Sequence, residues 1–384
     1  MKNSNNKFKD IMFSFLRLLY KLTFVFKIKN NKIFFSNMSG KGYGDSPKYI
    51  CEEFLNDKNY ELVWALNDLN DKSVPKQVKI AKKYSLNYFY HLATSKIIIN
   101  DARFPLFFSK RKKQFYIQTW HSPLRLKKIE LDAKENLSEN HIRVMKNDSR
   151  YIDLMISGCD FSYNIYHNSF MYFGKIEKCG TPRCDLFFDI KRINYIKNNL
   201  SKLYNTKDKK IILYVPTFRS SSKVEDYIID YKKLINQLKD EYIFLIKLHP
   251  HVTYKIENYK NVIDVSKYSD TQELICFCDL MITDYSSCCF DALIANKPCI
   301  LFIKDLDNYL KKERELYFDF NDLPFEKIKN EDILASHILN FDKKKYKSEI
   351  EKFNKKIGLY ENGNACKKIK KIINDVMEDK YGKI

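Results

Sequence analysis

The chain contains no unbroken apolar run of about 20 residues, the length a membrane-spanning helix requires, and no small-residue cleavage site behind its apolar N-terminus. Paired Cys-x-x-Cys and mixed Cys/His spacings are also missing from its ten cysteines, so a structural zinc site is excluded. Several of these cysteines fall inside apolar runs (Cys276, Cys278, Cys288, Cys289, Cys299) and read as small buried hydrophobes of a reducing compartment. There is no internal repeat, no low-complexity tract and no nucleic-acid-binding motif. No carboxylate cluster with obvious Mg²⁺ geometry occurs and no cofactor is identified, so the sequence leaves a Mg²⁺ requirement open.

What is present is length, charge and aromatic content. At 384 residues the chain is long enough for two domains with full cores, and its apolar content excludes disorder as the main state. Lys and Arg number 68 against 48 Asp and Glu, a formal charge of +20 that favours phosphates, other polyanions or an acidic membrane face. The segment from Phe8 to Lys29 is apolar but broken by Arg17, Lys21 and Lys27, which fits a basic amphipathic helix lying on an anionic leaflet. A first helix packed on the protein body and an uncleaved signal anchor are the competing readings.

Beyond that segment, strand-like and helix-like stretches alternate twice over. The first series has strands at 32–37, 61–66, 95–100, 114–119 and 154–158, with a helix at 46–56; the second has strands at 210–214, 242–248, 262–264, 280–283 and 298–303. Such alternation predicts parallel α/β sheets. The Lys/Asn-rich stretch 191–210 marks the junction. The expected division is a membrane-associating helix over 1–30, one Rossmann-like domain over 31–190 and a second over 191–384.

Polar clusters fall at the predicted strand ends. The stretch Met281 to Phe302 reads as strand, polar turn, helix, proline, strand, with Thr283, Asp284, Ser286 and Ser287 at the turn. A helix start there suits an anion, while Asp284 or Ser286 would equally serve as a plain N-cap. Thr217 and Arg219 follow another strand, and Lys247 and His249 a third, so three strand ends of one domain offer donors to an anion. In the first series Gln118-Thr-Trp-His121 is followed by Arg125, Lys127 and Lys128. A histidine past a strand, beside cations, suits proton acceptance near a phosphate, although a lone histidine is as readily a structural residue.

These motifs together resemble the CDP-glycerol glycerophosphotransferases, including teichoic acid primases and polymerases. The resemblance runs from about Ser36 to about Lys371. It rests on Ser39-Gly-Lys-Gly-Tyr-Gly-Asp-Ser-Pro47, Trp64, Ile99-Asn-Asp-Ala-Arg103, Gln118-Thr-Trp-His121, Gly180-Thr-Pro-Arg-Cys-Asp185, Pro216-Thr-Phe-Arg219, Lys247-Leu-His-Pro250, Thr283-Asp-Tyr-Ser-Ser287 and Asn362-Gly363. One departure lies just past His121, where the family commonly has Gly-Thr-Pro-Leu-Lys and this chain has Ser122-Pro-Leu-Arg-Leu-Lys127.

The resemblance implies a GT-B-like α/β fold of two Rossmann-like domains with a cleft between them, an acceptor domain preceding a donor domain. It implies transfer of an alditol phosphate from CDP-glycerol or CDP-ribitol to a hydroxyl of a lipid-linked or polymer acceptor, with release of CMP, in teichoic acid or related surface-polymer synthesis. His121 would be the general base, since an ordinary imidazole pKa of about 6.5 leaves it neutral near pH 7. Arg219, His249, Ser286 and Ser287 would hold the pyrophosphate, with Thr217 beside them and Lys247 in support; Asp284 would be a helix cap or a ribose contact. Arg125 and Lys127 would serve the acceptor side. The expected location is peripheral, on the cytoplasmic face of the membrane, with an anionic membrane surface as partner and no nucleic acid. The competing enzyme reading is a GT-B glycosyltransferase using a nucleotide sugar, and the non-enzyme reading is a basic polyanion-binding module.

Overall fold

The computed structural model describes residues 2–382 apart from 221, 250 and 314, with side chains of the first helix described from Asp10 onward. The proline of the Lys-Leu-His-Pro motif thus lies outside the described residues.

Two compact units emerge. One comprises residues 1–121, 130–185 and 360–384; the other comprises 122–129 and 186–359. The chain therefore divides at other points than those expected. The segment Ser122–Ile129 belongs to the second unit and the C-terminal stretch returns to the first. Strand patterning could not show this, because neither crossing segment is a strand. The Lys/Asn-rich stretch taken as a junction is mostly a helix, Ile190–Tyr204, capped by Asp189 and closed by left-handed Asn205.

The first unit holds seven strands, β1 (Lys29–Ser36), β2 (Glu61–Leu66), β3 (Lys79–Lys82), β4 (Ser95–Asn100), β5 (Phe115–Gln118), β6 (Leu154–Ser157) and β7 (Lys175–Lys178). They lie in the order β3-β2-β1-β4-β5-β6-β7 and every pairing is parallel. The second unit holds β8 (Lys210–Val215), β9 (Tyr242–Ile246), β10 (Val262–Asp264), β11 (Leu280–Thr283), β12 (Cys299–Phe302) and β13 (Glu326–Ile328). Their order is β10-β9-β8-β11-β12-β13, again all parallel. Both orders run outward from a reversal, between β1 and β4 and between β8 and β11. That reversal opens a crevice at the carboxyl ends of the strands, where doubly wound sheets bind ligands.

Apolar runs rather than alternating patterns build these strands, because helices cover both sheet faces. Ile33, Phe35, Ile97, Ile99 and Ile117 are fully buried in the first core, and Ile212, Phe244, Ile282 and Ile300 in the second. Trp64 joins the first core to the loop above it. Its ring stacks on Phe35 at 5.6 Å, lies 4.5 Å from Tyr43, and donates Nε1–H to the Gly42 carbonyl. Gly40 and Gly42 of that loop have φ of 90° and 102°, which only glycine adopts without strain. The ten cysteines are all free, nine buried and Cys288 half-buried.

The N-terminal helix, Lys2–Leu22, packs one face onto the first unit. Tyr20 is fully buried against Phe24, Phe89, Phe107 and Phe108, and Arg17 donates to the Leu106 carbonyl. Ile11, Phe15, Leu18 and Leu22, spaced to share one helical arc, are exposed. Among the described residues no helix is long and apolar enough to cross a membrane.

Candidate active site

In the first unit the site is built on the ends of β1, β4 and β5. The β4 extension carries Asp101, whose main-chain carbonyl lies 2.8 Å from Nδ1 of His121, just past β5. A carbonyl can only accept, so Nδ1 carries a hydrogen and, in the neutral ring, the lone pair is on Nε2. The Trp120 ring lies 4.3 Å from the imidazole, and Trp120 sits in the left-handed region at φ 52°. The His121 carbonyl accepts from Arg183, which also pairs with Asp45.

The Asp101 carboxyl is fully buried. Its Oδ1 accepts from the Met38 N–H at 2.7 Å, fastening the glycine loop. Burial, reinforced by repulsion from Asp45, holds its pKa well above the usual carboxylate range. Arg103, quoted above only as part of a motif, pairs with buried Asp148 at 3.2 Å and Glu130 at 3.5 Å, and its guanidinium lies 4.4 Å from the Phe170 ring. The pairing at Asp148 does not offset burial, which raises that carboxyl to about 6.

In the second unit β8 and β11 are neighbours, with Thr283 opposite Val215, so their following residues meet. Asp284 Oδ1 accepts from the Thr217 N–H at 2.9 Å and from the Tyr285 N–H at 2.6 Å; Oδ2 accepts from Arg219 at 2.8 Å. Asp284 is thus no helix cap. It ties the two strand ends together. Arg219, only 3% exposed, also forks onto Asp305 at 2.8 and 3.0 Å and sits 4.0 Å from the Tyr227 ring. Burial opposes its charge, but the two carboxylates outweigh burial and raise its pKa, and Arg219 in turn depresses that of Asp305. The direct phosphate contact expected for Arg219 is therefore not the arrangement found. Its fork is taken by carboxylates, and it positions the turn that follows Asp284.

That turn also differs from expectation. The helix it starts, Cys288–Ile294, is under two turns long, and its first N–H groups are engaged locally. Cys288 N–H reaches Ser286 Oγ at 3.4 Å, Cys289 N–H the Ser286 carbonyl at 3.3 Å, and Phe290 N–H the Ser287 carbonyl at 3.1 Å.

Arg125 and Lys127 correct the expected partition. Both lie in the segment that joins the second unit, where Leu126 N–H donates to Ser287 Oγ at 3.2 Å and its carbonyl accepts from Tyr317 N–H at 2.9 Å. Lys127 bridges to Leu316, with Nζ 5.6 Å from the Tyr309 ring, and Arg125 is buried. The segment that carries them is tied to the serine turn through Leu126. The altered sequence after His121 is where this crossing begins.

Lys247 is half-buried and donates to the Tyr268 carbonyl; burial lowers its pKa, which suits the supporting role. His249 is exposed. Its Nδ1 accepts from His251 N–H at 3.3 Å, so its hydrogen is on Nε2, the tautomer opposite to that of His121. Phe218 stacks on it at 5.7 Å. Among the described residues no three His, Cys, Asp or Glu side chains converge as metal ligands.

A histidine past a strand of one Rossmann-like domain, and serines and a histidine at strand ends of another, are parts expected of a nucleotide-dependent transferase. The family profile of CDP-glycerol:poly(glycerophosphate) glycerophosphotransferases matches residues 18–375, and the chain belongs to that family. The teichoic acid poly(glycerol phosphate) polymerase of Staphylococcus epidermidis is 32% identical over 374 residues, 91% of this chain and 52% of that protein. The chain thus spans about half the length of that relative. It spans nearly all of the Staphylococcus aureus teichoic acid glycerol-phosphate transferase, 28% identical over 388 residues, 96% of this chain and 98% of that protein. A histidine-to-asparagine variant of the wall teichoic acid polymerase TagF soaked with CDPG matches with a TM-score of 0.87 at 28% identity, over 98% of both chains. Staphylococcus aureus MnaA bound to UDP, at 14% identity and a TM-score of 0.53 over 91% of this chain and 97% of that one, shares the fold alone.

Proposed function

We propose that this glycerophosphotransferase takes CDP-glycerol as donor and moves glycerol phosphate to a hydroxyl of a membrane-associated acceptor in teichoic acid or a related surface polymer. The observation that carries the chemistry is the 2.8 Å contact of His121 Nδ1 with the Asp101 carbonyl, which commits Nδ1 as a donor and, in the neutral ring, leaves Nε2 as the basic nitrogen. The acceptor oxygen bonds to the distal phosphorus of the donor, its proton passes to His121 Nε2, and the bond from that phosphorus to the bridging oxygen breaks to release CMP. Ser286, Ser287 and the Nε2–H of His249 donate to phosphate oxygens as charge develops, the electrostatic share that dominates phosphoryl transfer. Lys247 and Arg219 support them from behind, and Thr217 is held in place by Asp284. Glycerol is favoured over ribitol because the relatives spanned nearly end to end are named for glycerol phosphate; relatives named for ribitol phosphate keep CDP-ribitol as the second donor to test.

The same reading places the protein on the cytoplasmic face of the membrane, against a lipid-linked acceptor. The exposed Ile11, Phe15, Leu18 and Leu22 continue into exposed Val25 and Phe26. Arg111 holds the Phe24 and Phe26 carbonyls at 3.0 and 2.8 Å, so the run Arg111-Lys112-Lys113 lies beside this apolar edge, with Lys112 and Lys113 exposed. An apolar stripe rimmed by cations suits an anionic bilayer.

The test is transfer of label from CDP-glycerol, labelled in its glycerol phosphate, to a membrane acceptor. Labelled polymer and CMP in equal amounts support the proposal; free labelled glycerol phosphate in place of labelled polymer would mean hydrolysis and refute it.

A further inference from the structure

His121 is fixed from three directions. Asp101 holds Nδ1, the Trp120 ring covers a face at 4.3 Å, and the main-chain carbonyl accepts from Arg183 Nη1 at 3.0 Å. The same Nη1 lies 2.6 Å from Asp45 Oδ2, and Arg183 is 7% exposed. Asp45 at φ 53° and Trp120 at φ 52° are non-glycine residues in the left-handed region, one at each end of this link. Such conformations persist only where the surroundings over-determine them, and they cluster at functional sites.

We propose that Arg183, held by Asp45, is a positioning residue that fixes the aim of His121 through its main-chain carbonyl. This rests on the reading of His121 as the base. Arg183 is itself anchored: two residues on, Asp185 accepts from the Ala365 and Cys366 N–H groups at 3.0 and 2.7 Å, bolting the turn to the helix Ala365–Met377. Asp45 opens the helix Asp45–Glu52 at the end of the glycine loop, and Asp101 holds Met38 at its start. The base and the loop are thereby mounted on one frame.

Charge gives this role a signature that plain structural support does not share. Among the described residues, the charged groups linked to His121 or to the residues that hold it include Arg183 and Asp45 as a pair, Asp101, whose pKa burial and then Asp45 hold well above the usual carboxylate range, and Arg103, engaged with Asp148 and Glu130 and 5.8 Å from the Trp120 ring. Removing Arg183 leaves the Asp45 carboxylate uncompensated and favours imidazolium, so the acid limb of kcat moves to higher pH. Removing the Asp45 charge leaves the Arg183 cation and moves the limb to lower pH.

The experiment measures kcat, KM for CDP-glycerol and pH profiles for Arg183→Gln, Asp45→Asn, their double variant, Arg183→Lys and His121→Ala in the full chain with a membrane acceptor. We expect kcat of Arg183→Gln to fall about 10- to 100-fold, KM for CDP-glycerol to hold, Lys to recover part of the rate, and the two acid limbs to move oppositely and return in the double variant. Limbs that stay put or move the same way overturn the proposal while leaving the base intact, provided His121→Ala is inactive. Full activity in His121→Ala overturns both the base and its mount. Should Arg183→Gln fail to fold, Asp45→Asn decides alone: a limb at lower pH supports the proposal and an unmoved limb overturns it.

Discussion

Arg219 and Asp284 meet at 2.8 Å with side chains 2% and 4% exposed, so the link between the ends of β8 and β11 is a buried ion pair rather than a backbone turn. Asp305 shares the arginine, and Tyr285 donates to Asp305 at 2.8 Å while stacking on Tyr309 at 3.8 Å. The guanidinium is thus enclosed by two carboxylates and aromatic faces.

Arg219→Gln leaves two carboxylates without their cation in a buried place, a change that costs about 3–5 kcal/mol. Arg219→Lys keeps the charge but not the fork onto Asp305. We expect both to lower the melting temperature, Gln more than Lys, and CDP-glycerol to lose its protective effect in the Gln variant. A Gln variant that melts like the parent and is still protected would show that the pair does not hold the turn.

Much of this was legible in the sequence, and the shortfall has physical causes. Long apolar runs such as Ile97-Ile-Ile99 declare central parallel strands, and the residues at their ends stand out as polar against them. The strands β3, β7 and β13 escape notice because edge strands are short and charged, as Lys79-Ile-Ala-Lys82 and Lys175-Ile-Glu-Lys178 show. At the site, His121, Thr217 and Ser286 could be singled out by position. The partner of Arg219 could not, because Asp305 lies 86 residues away and only folding brings it to the guanidinium. Arg183 and Asp45 were visible as motif members without a role, since their meeting joins the ends of distant strands. A left-handed residue such as Trp120 carries no sequence signal at all.

The apolar edge of the first helix leads to a separable expectation. Phe15→Glu with Leu18→Glu places two anions in the exposed stripe without touching the packed face around Tyr20. Sedimentation with anionic vesicles should fall at least tenfold, since each insertion of a charge adds a kcal/mol-scale penalty to burial in the interface, and parent binding should weaken with salt. Vesicle binding equal to the parent would show that the stripe is not the docking face.

His91 sets a pH dependence of stability. Burial first, then the charge of Lys32, lowers its pKa to about 4. The unfolded chain takes up this proton near pH 6.5, so the contribution to stability is complete above that pH and is lost as the pH falls toward 4. We expect a loss on the order of 2 kcal/mol across that window, read as a drop in urea midpoint between pH 7 and pH 4.5 that His91→Gln reduces. An equal drop in the variant would assign the acid sensitivity elsewhere.

The most direct test of the central claim offers CDP-glycerol, CDP-ribitol and a panel of UDP-sugars with a membrane acceptor to the parent and to His121→Ala, and identifies the nucleotide released. We expect CMP from CDP-glycerol with the parent and loss of that release in the variant. UDP release, no release from any donor, or undiminished CMP release from His121→Ala would contradict it.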